Sequence, residues 1–95
     1  MYLHLGQETV IRTDDIVGIF DMDNTTISKW TRRFLNKAEK AGQIVSVTTD
    51  IPKTFVVVSP KQQKRQGNRL QRGDMVYLSQ ISAATLKKRT GYNYR

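Results

Sequence analysis

A change of apolar periodicity in the first half of the chain constrains the fold more than any other feature. Residues 16–20, IVGIF, form an almost continuous apolar run of strand-forming residues, which favours a central, buried strand. From Ile27 onward, apolar side chains recur at helical spacing and cations fall on the other faces. The pattern predicts one main helix at about residues 27–41, with Trp30 and Phe34 in the core. Gly42 is well placed to end this helix in the left-handed conformation.

The remaining segments predict a small, mostly antiparallel α+β domain. A chain of 95 residues supports one compact core, and we expect a single domain over residues 1–95. Strand patterns occupy residues 2–5, 9–12, 44–48, 54–58 and 75–78. The first two predict a hairpin around Gly6, and the next two are separated by a gap that suits a hairpin turn. Residues 79–89 predict a turn into a short capped helix.

The residues that follow the apolar run support two incompatible interpretations. The sequence DMDNT at residues 21–25 resembles the first motif of haloacid-dehalogenase-type phosphatases, in which the first Asp attacks phosphorus. Such an enzyme needs a larger doubly wound sheet and a late acidic pair for magnesium. The later acids, Glu39, Asp50 and Asp74, are isolated. We therefore expect no enzyme, but a turn in which Asp21 and Asp23 favour the helix dipole and Thr26 or Ser28 caps the helix.

The charge of the chain is strongly positive and unevenly distributed. A formal net charge of +8 suggests an anionic partner, such as nucleic acid or an acidic lipid surface. Residues 1–26 hold five acids and one base, whereas residues 27–95 hold fifteen bases and three acids. The split predicts one cationic surface and one acidic or neutral surface, either of which suits contact with a second copy of the chain. Solubility alone is the simpler alternative.

Other compositional features narrow the functional class. The chain has no cysteine, which excludes disulfides and thiolate metal sites and favours a reducing cytoplasm. His4 is the only histidine, and no second ligand lies at metal-site spacing. The longest wholly apolar run, residues 55–58, is far shorter than the ~20 residues of a membrane span, and there is no signal-peptide pattern. We therefore expect a cytoplasmic protein with no cofactor, metal, membrane partner or small-molecule substrate.

The most cationic segment, residues 59–74, contains a single Leu70 and no acid before Asp74. Because such a segment cannot bury enough apolar surface to fold alone, we predict a flexible loop between two antiparallel strands. Its cations are suited to phosphate contacts without sequence preference, although a merely solvated insertion fits the pattern equally well. The candidate DNA-binding residues in this loop are Lys61, Lys64, Arg65, Arg69 and Arg72.

Both helices and the C-terminal tail carry further candidates. Lys87, Lys88 and Arg89 end the predicted C-terminal helix, where they either contact DNA or only stabilise the helix dipole. Arg32 and Arg33 on the main helix are weaker candidates. On the same helix, Trp30 and Phe34 fit a core role better than a base-stacking platform. The tail, residues 90–95, is expected to fray.

Four ordered blocks of sequence carry a family resemblance over nearly the whole chain. They are MYLHLG at residues 1–6, TDDIVGIFD at 13–21, PKTFVV at 52–57 and YLSQISAATLKKR at 77–89. With these blocks the chain resembles the RemA/RemB family of small bacterial extracellular-matrix (biofilm) regulators, and more closely its RemB branch.

The resemblance implies a LytTR-like, mostly antiparallel domain with one principal helix, which dimerises or forms larger rings. It also implies a transcription activator that binds DNA upstream of matrix and osmoprotection genes. In the better-known branch, arginines before the central strand and an arginine pair before a later strand are implicated in DNA contact. Here the corresponding positions hold Asp15 and Ile51-Pro52-Lys53, so that only Lys53 retains a cation. Loss of these arginines lowers the expected DNA affinity at that surface, and residues 61–72 could restore the charge by another route.

We therefore predict a non-enzymatic DNA-binding regulator of extracellular matrix genes that acts as a homo-oligomer with repeated basic surfaces. Many weak contacts gain strength by effective concentration in such an assembly. The alternative is a protein-interaction regulator or scaffold without direct DNA binding, which uses its sheet edges and its acidic N-terminal part.

Overall fold

The fold is a four-stranded sheet with one helix on one face, and a hairpin and a second helix on the other. The computed structural model describes residues 1–22, 29–60 and 70–91. The strands are β1 (Tyr2–Gly6), β2 (Thr9–Arg12), β3 (Ile16–Asp21), β4 (Ile44–Ser46), β5 (Thr54–Val58) and β6 (Met75–Ser79). The helices are α1 (Lys29–Lys40) and α2 (Ala83–Thr90), and a short 3-10 turn, Thr13–Asp15, joins β2 to β3. The predicted α+β class is confirmed.

The main sheet has the strand order β3-β5-β6-β4 and is mixed. β5 pairs antiparallel with both β3 and β6, whereas β4 runs parallel to β6. β1 and β2 form a separate antiparallel pair, which confirms the first predicted hairpin. Because β5 and β6 are antiparallel neighbours, residues 59–74 connect two adjacent strands, as predicted.

The hairpin predicted between residues 44–48 and 54–58 is wrong, because β6 lies between these two strands. β5 and β6 form a ladder of five residue pairs. β4 has only three residues, and it pairs with β6 and not with β5. The segment after β4 crosses the end of β6, where the Val47 N–H donates to the Leu78 carbonyl at 2.9 Å and the Lys53 N–H donates to the Ser79 carbonyl at 2.9 Å. The sequence gap is compatible with a turn, but the longer ladder decides the pairing.

The apolar run at residues 16–20 lies at an edge of the sheet, and not at its centre as predicted. Its apolar character reflects burial on two faces. Ile16 and Ile19 belong to the core beneath the hairpin and α2, whereas the Phe20 ring stacks on Phe55 on the α1 side, with centroids 4.8 Å apart. The central position is taken by β5, whose residues 54–57 are all buried.

Helix α1 packs across one face of the sheet. Phe34 and Ala38 lie against β5 and β6, and the helix ends as predicted, with Gly42 at a φ of +70°. The Gln43 N–H donates to the Ala38 carbonyl at 2.8 Å and the Gly42 N–H donates to the Glu39 carbonyl at 3.1 Å, which is a Schellman motif. The predicted caps Thr26 and Ser28 and the predicted dipole partner Asp23 lie outside the described residues.

The prediction that Trp30 is a core residue is wrong, although Phe34 is buried. Trp30 lies in the first turn of α1 and is 54% exposed. Its indole stacks on Phe34 with ring centroids 5.2 Å apart. Phe34 occupies the position against Phe55, with ring centroids 6.4 Å apart. The indole lies one turn earlier, and it therefore packs over Phe34 and not against the sheet.

The opposite face of the sheet is covered by the hairpin and α2. Leu3 and Leu5 from β1 pack with Ile19, Val56 and Leu86. Hydrogen bonds also join these layers. The Ser79 hydroxyl donates to the Leu5 carbonyl at 2.9 Å and the Thr54 hydroxyl donates to the Ile81 carbonyl at 2.9 Å. Helix α2 begins as predicted with a side-chain cap, in which the Ser82 Oγ accepts from the Thr85 N–H at 3.2 Å.

Replacement of Leu86 by Ala tests the core beneath α2. Leu86 is 0% exposed, so truncation should lower the free energy of unfolding by about 2 to 4 kcal/mol through lost burial and a residual cavity. The exposed Val10 on the hairpin is the matched control, and Val10→Ala should cost less than about 0.5 kcal/mol. Urea unfolding followed by circular dichroism measures both, and equal costs would contradict this packing.

Candidate nucleic-acid interface

The structure describes five of the nine predicted DNA-binding residues. They are Lys53, Arg72, Lys87, Lys88 and Arg89. The other four, Lys61, Lys64, Arg65 and Arg69, lie outside the described residues, so their prediction stays a prediction.

Lys53 is exposed on a backbone that is fixed on both sides. Its N–H donates to the Ser79 carbonyl at 2.9 Å, and its carbonyl accepts from the Met22 N–H at 2.7 Å. The preceding turn is held by the Gln80 side-chain amide, which donates to Asp50 Oδ2 at 3.1 Å. The neighbouring Ile51 is 88% exposed. The rigid end of β5 therefore presents one cation and one apolar side chain to solvent.

Arg72 is exposed on a tight turn that closes the end of the long loop. The Asp74 N–H donates to the Gln71 carbonyl at 3.0 Å, and the Gln71 N–H donates to Asp74 Oδ2 at 2.9 Å. Asp74 is fully buried, and Leu70 packs against the core on the α1 side. The last residues of the predicted flexible loop are therefore folded, and Arg72 projects from a fixed backbone.

Gln43 links this turn to the end of α1. Its side-chain Nε2 donates to the Gln71 carbonyl and to the Asp74 carbonyl, each at 2.9 Å. Its own carbonyl accepts from the Val76 N–H at 2.8 Å. One side chain thus satisfies two carbonyls that are partly buried, which anchors the turn that carries Arg72.

The three cations of α2 lie in its last turn. Lys88 and Arg89 are exposed and Lys87 is half-buried, whereas Thr90 on the same turn is buried. The helix ends at Gly91, which has a φ of 71° and donates its N–H to the Lys87 carbonyl. Cations at this end stabilise the helix dipole, so their position fits a capping role and a phosphate-binding role equally.

These cations do not form one cluster. Lys53 precedes β5 and lies beside the end of β6, whereas Arg72 lies before β6 and beside the end of β5. A strand of five residues spans about 17 Å, so the two side chains start from opposite ends of the sheet. The cations of α2 lie in the layer that α2 and the hairpin form on the face of the sheet opposite α1. These five residues are therefore separate cationic points and do not form one basic patch.

Helix α1 carries a further cationic surface, which is larger than the two arginines predicted from the sequence indicate. Its side opposite the buried Phe34 and Ala38 is occupied by exposed cations at helical spacing. They are Lys29, Arg33, Lys37 and Lys40, with Arg32 exposed beside them. The same periodicity that identifies the buried face also locates this stripe, although only Arg32 and Arg33 are predicted from the sequence, as weaker candidates.

The acids do not form one opposing surface within the described residues. Asp14 and Asp15 precede β3, whereas the exposed Asp21 ends it, so they lie at opposite ends of one strand. Within the part of the chain that the structure describes, the second surface is therefore not the acidic one of the two predicted alternatives, and the neutral alternative stays a prediction. Because β3 runs from one end of the sheet to the other, acids that are close in the sequence lie at both ends of the sheet.

Asp21 also lacks the strand environment of the phosphatase motif. That fold brings catalytic acids together at the carboxyl ends of neighbouring parallel strands, but the partner of β3 is the antiparallel β5, with Asp21 opposite Thr54. Over residues 1–22, 29–60 and 70–91, no group of three or more metal-ligating side chains occurs. In the same ranges, neither helix has the length and apolarity to cross a membrane.

Replacement of Gln43 by Ala tests the anchor of the Arg72 turn. Loss of its two hydrogen bonds should lower the free energy of unfolding by about 1 to 3 kcal/mol, because the two carbonyls lose their partner. Hydrogen exchange measured by mass spectrometry should become faster over residues 70–76. The control is Gln80→Ala, whose side-chain hydrogen bonds are exposed, and which should leave that segment unchanged. Unaltered exchange in Gln43→Ala would show that the turn is held by other contacts.

Comparison with known proteins identifies relatives over nearly the full length. The sequence profile of a family described as "RemA-like: Extracellular matrix regulatory protein A-like" matches residues 2–90. The chain is also 33% identical over 94 residues to "Extracellular matrix regulatory protein B" of Bacillus subtilis (strain 168), an alignment that covers 99% of this chain and 95% of that protein. The two matches agree with the resemblance carried by the four sequence blocks.

Proposed function

The chain belongs to the RemA-like family of extracellular matrix regulatory proteins, and we propose that it is a non-enzymatic, DNA-binding transcriptional regulator of matrix genes that acts as a homo-oligomer. The observation that carries this proposal is the placement of exposed cations at separate, rigid points of the fold. Lys53 and Arg72 lie at the two ends of the sheet, on backbones fixed by hydrogen bonds. Such points suit an extended polyanion better than a small anion, which needs converging charges.

Repetition is what makes this arrangement effective. Each phosphate contact contributes little at physiological salt, so a single copy with scattered cations binds duplex DNA weakly. Copies that share one duplex convert later contacts into intramolecular ones with a high effective concentration. The oligomer therefore replaces the recognition helix of other regulators, and its contacts are mainly to the phosphate backbone and not to base edges.

The fold offers surfaces for self-association. Within the described residues β3 and β4 end the main sheet, and open edges are common sites of strand pairing between chains. Tyr2 and Val10 are exposed apolar residues on the hairpin, and Val17 is a third on the edge strand β3. These features support the oligomeric part of the proposal.

The same features favour a second candidate, a regulator that acts through protein contacts without binding DNA. Exposed apolar side chains such as Ile51 and Tyr2 are typical of protein interfaces when they cluster. In this alternative the cations only keep the assembly soluble. The two candidates differ in one measurable property, which is the salt dependence of duplex binding.

The salt dependence of DNA binding tests the proposed function. For a mixed-sequence duplex, Lys53→Ala and Arg72→Ala should each weaken binding and lower the slope of log K against log salt by about 1 for each lost phosphate contact. Arg12→Ala, which removes one exposed cation from the hairpin, should leave the slope unchanged. Fluorescence anisotropy of a labelled duplex at several salt concentrations provides the measurement. Absence of duplex binding by the wild-type protein at low salt would favour the scaffold alternative.

A further inference from the structure

An exposed indole ends a column of four aromatic rings. Trp30 stacks on Phe34 with centroids 5.2 Å apart and an interplanar angle of 20°. Phe34 contacts Phe55 at 6.4 Å, and Phe55 stacks on Phe20 at 4.8 Å. Phe34 and Phe55 are 7% and 3% exposed, whereas Trp30 is 54% exposed. One end of the column is thus anchored in the core, and the other end presents an aromatic ring to water.

The column makes Trp30 a preorganised contact. An exposed side chain is usually free to change rotamer, but this indole rests on a buried ring that is itself packed against β5. A ligand that stacks on it therefore meets a ring whose orientation is already fixed, so that little side-chain entropy is lost on binding. A flat partner is favoured, since offset stacking requires two planar surfaces.

The charge around Trp30 selects the kind of planar partner. Lys29 is adjacent in sequence, and Arg33 lies three residues later, a spacing that places its side chain beside Trp30 on the helix surface. Helix α1 carries five cations and the single acid Glu39. The site therefore combines a planar apolar ring with flanking positive charge, which is the combination that binds bases and phosphates of single-stranded nucleic acid.

Other occupants fit less well. A second copy of the chain has the same net charge of +8, and it would approach the cations of α1 at an electrostatic cost. A regular duplex hides the faces of its bases in the stack and exposes only their edges in the grooves. An indole already stacked on Phe34 is not extended as a wedge between base pairs. Unpaired bases alone offer a free π-face next to a phosphate.

We propose that Trp30 stacks on an unpaired base of single-stranded nucleic acid, with Lys29 and Arg33 on the flanking phosphates. This inference rests on the proposed function only in its partner class, because the contact is made by residues of α1 and does not use Lys53 or Arg72. It adds single-strand binding to a protein proposed to bind duplex DNA. Such a site is suited to locally melted DNA or to a transcript.

The intrinsic fluorescence of the protein reports on this contact directly, because Trp30 is the only tryptophan in the chain. Titration of the wild-type protein with an oligothymidylate of about 20 nucleotides should quench the emission, and high salt should reverse the quenching. No substitution is needed for this measurement, so it does not depend on the folding of a variant. A duplex of the same length is titrated in parallel.

Substitution then measures the contribution of the ring. Trp30→Ala should weaken binding of a labelled oligothymidylate roughly 5- to 100-fold, as expected for one lost base stack, while duplex binding stays within about twofold. Trp30→Phe should restore most of the affinity. The control is Asn36→Ala, which truncates an exposed side chain on the same helix and should have no effect. Thermal unfolding of each variant verifies that it is folded at the assay temperature.

The outcomes separate this inference from the proposed function. Duplex binding without quenching by the oligothymidylate would overturn the inference and leave the proposed function standing. Quenching without duplex binding would do the reverse. An emission change that follows protein concentration alone, with no nucleic acid present, would assign Trp30 to contact with a second copy and would also overturn the inference.

Discussion

The burial of β5 on both faces is the constraint on which the rest of the structure depends. Phe55 and Val57 face α1, whereas Val56 faces the hairpin and α2. Helix α1 buries its apolar side against one face of this strand, and the hairpin and α2 bury theirs against the other face. The strand therefore joins three layers into one body. The same strand fixes the functional surfaces, because Lys53 directly precedes it, Trp30 reaches it through Phe34, and the turn of Arg72 lies beside its far end.

Local periodicity predicts the helices and strands of this protein well, because an element that buries one face or two shows this in its own sequence. The main helix, its glycine terminus and the Ser82 cap all follow from neighbouring residues. Strand pairing does not follow in this way. β6 lies between β4 and β5 in the sheet, although it begins more than twenty residues after the start of β5. The long ladder between β5 and β6 is visible only in the folded sheet.

The candidate site was predictable in composition but not in arrangement. Basic residues are visible in the sequence, and those at Lys53, Arg72, Lys88 and Arg89 are indeed exposed. Their separation over two ends and two layers depends on the sheet order, which local pattern does not contain. The position of Trp30 was not predictable either. Helical spacing assigns Trp30 to the apolar face of α1, but Phe34 occupies the place against the sheet and the indole stays exposed to solvent.

We propose that several copies assemble on one duplex through salt-sensitive contacts, and the mass of the protein–DNA complex is the decisive measurement. Light scattering on a size-exclusion column compares the protein with and without duplex DNA, at low and at high salt. We predict a low-salt complex that contains several protein copies per duplex, and that separates into protein and free DNA at high salt. A protein mass that the duplex leaves unchanged at both salt concentrations would contradict it.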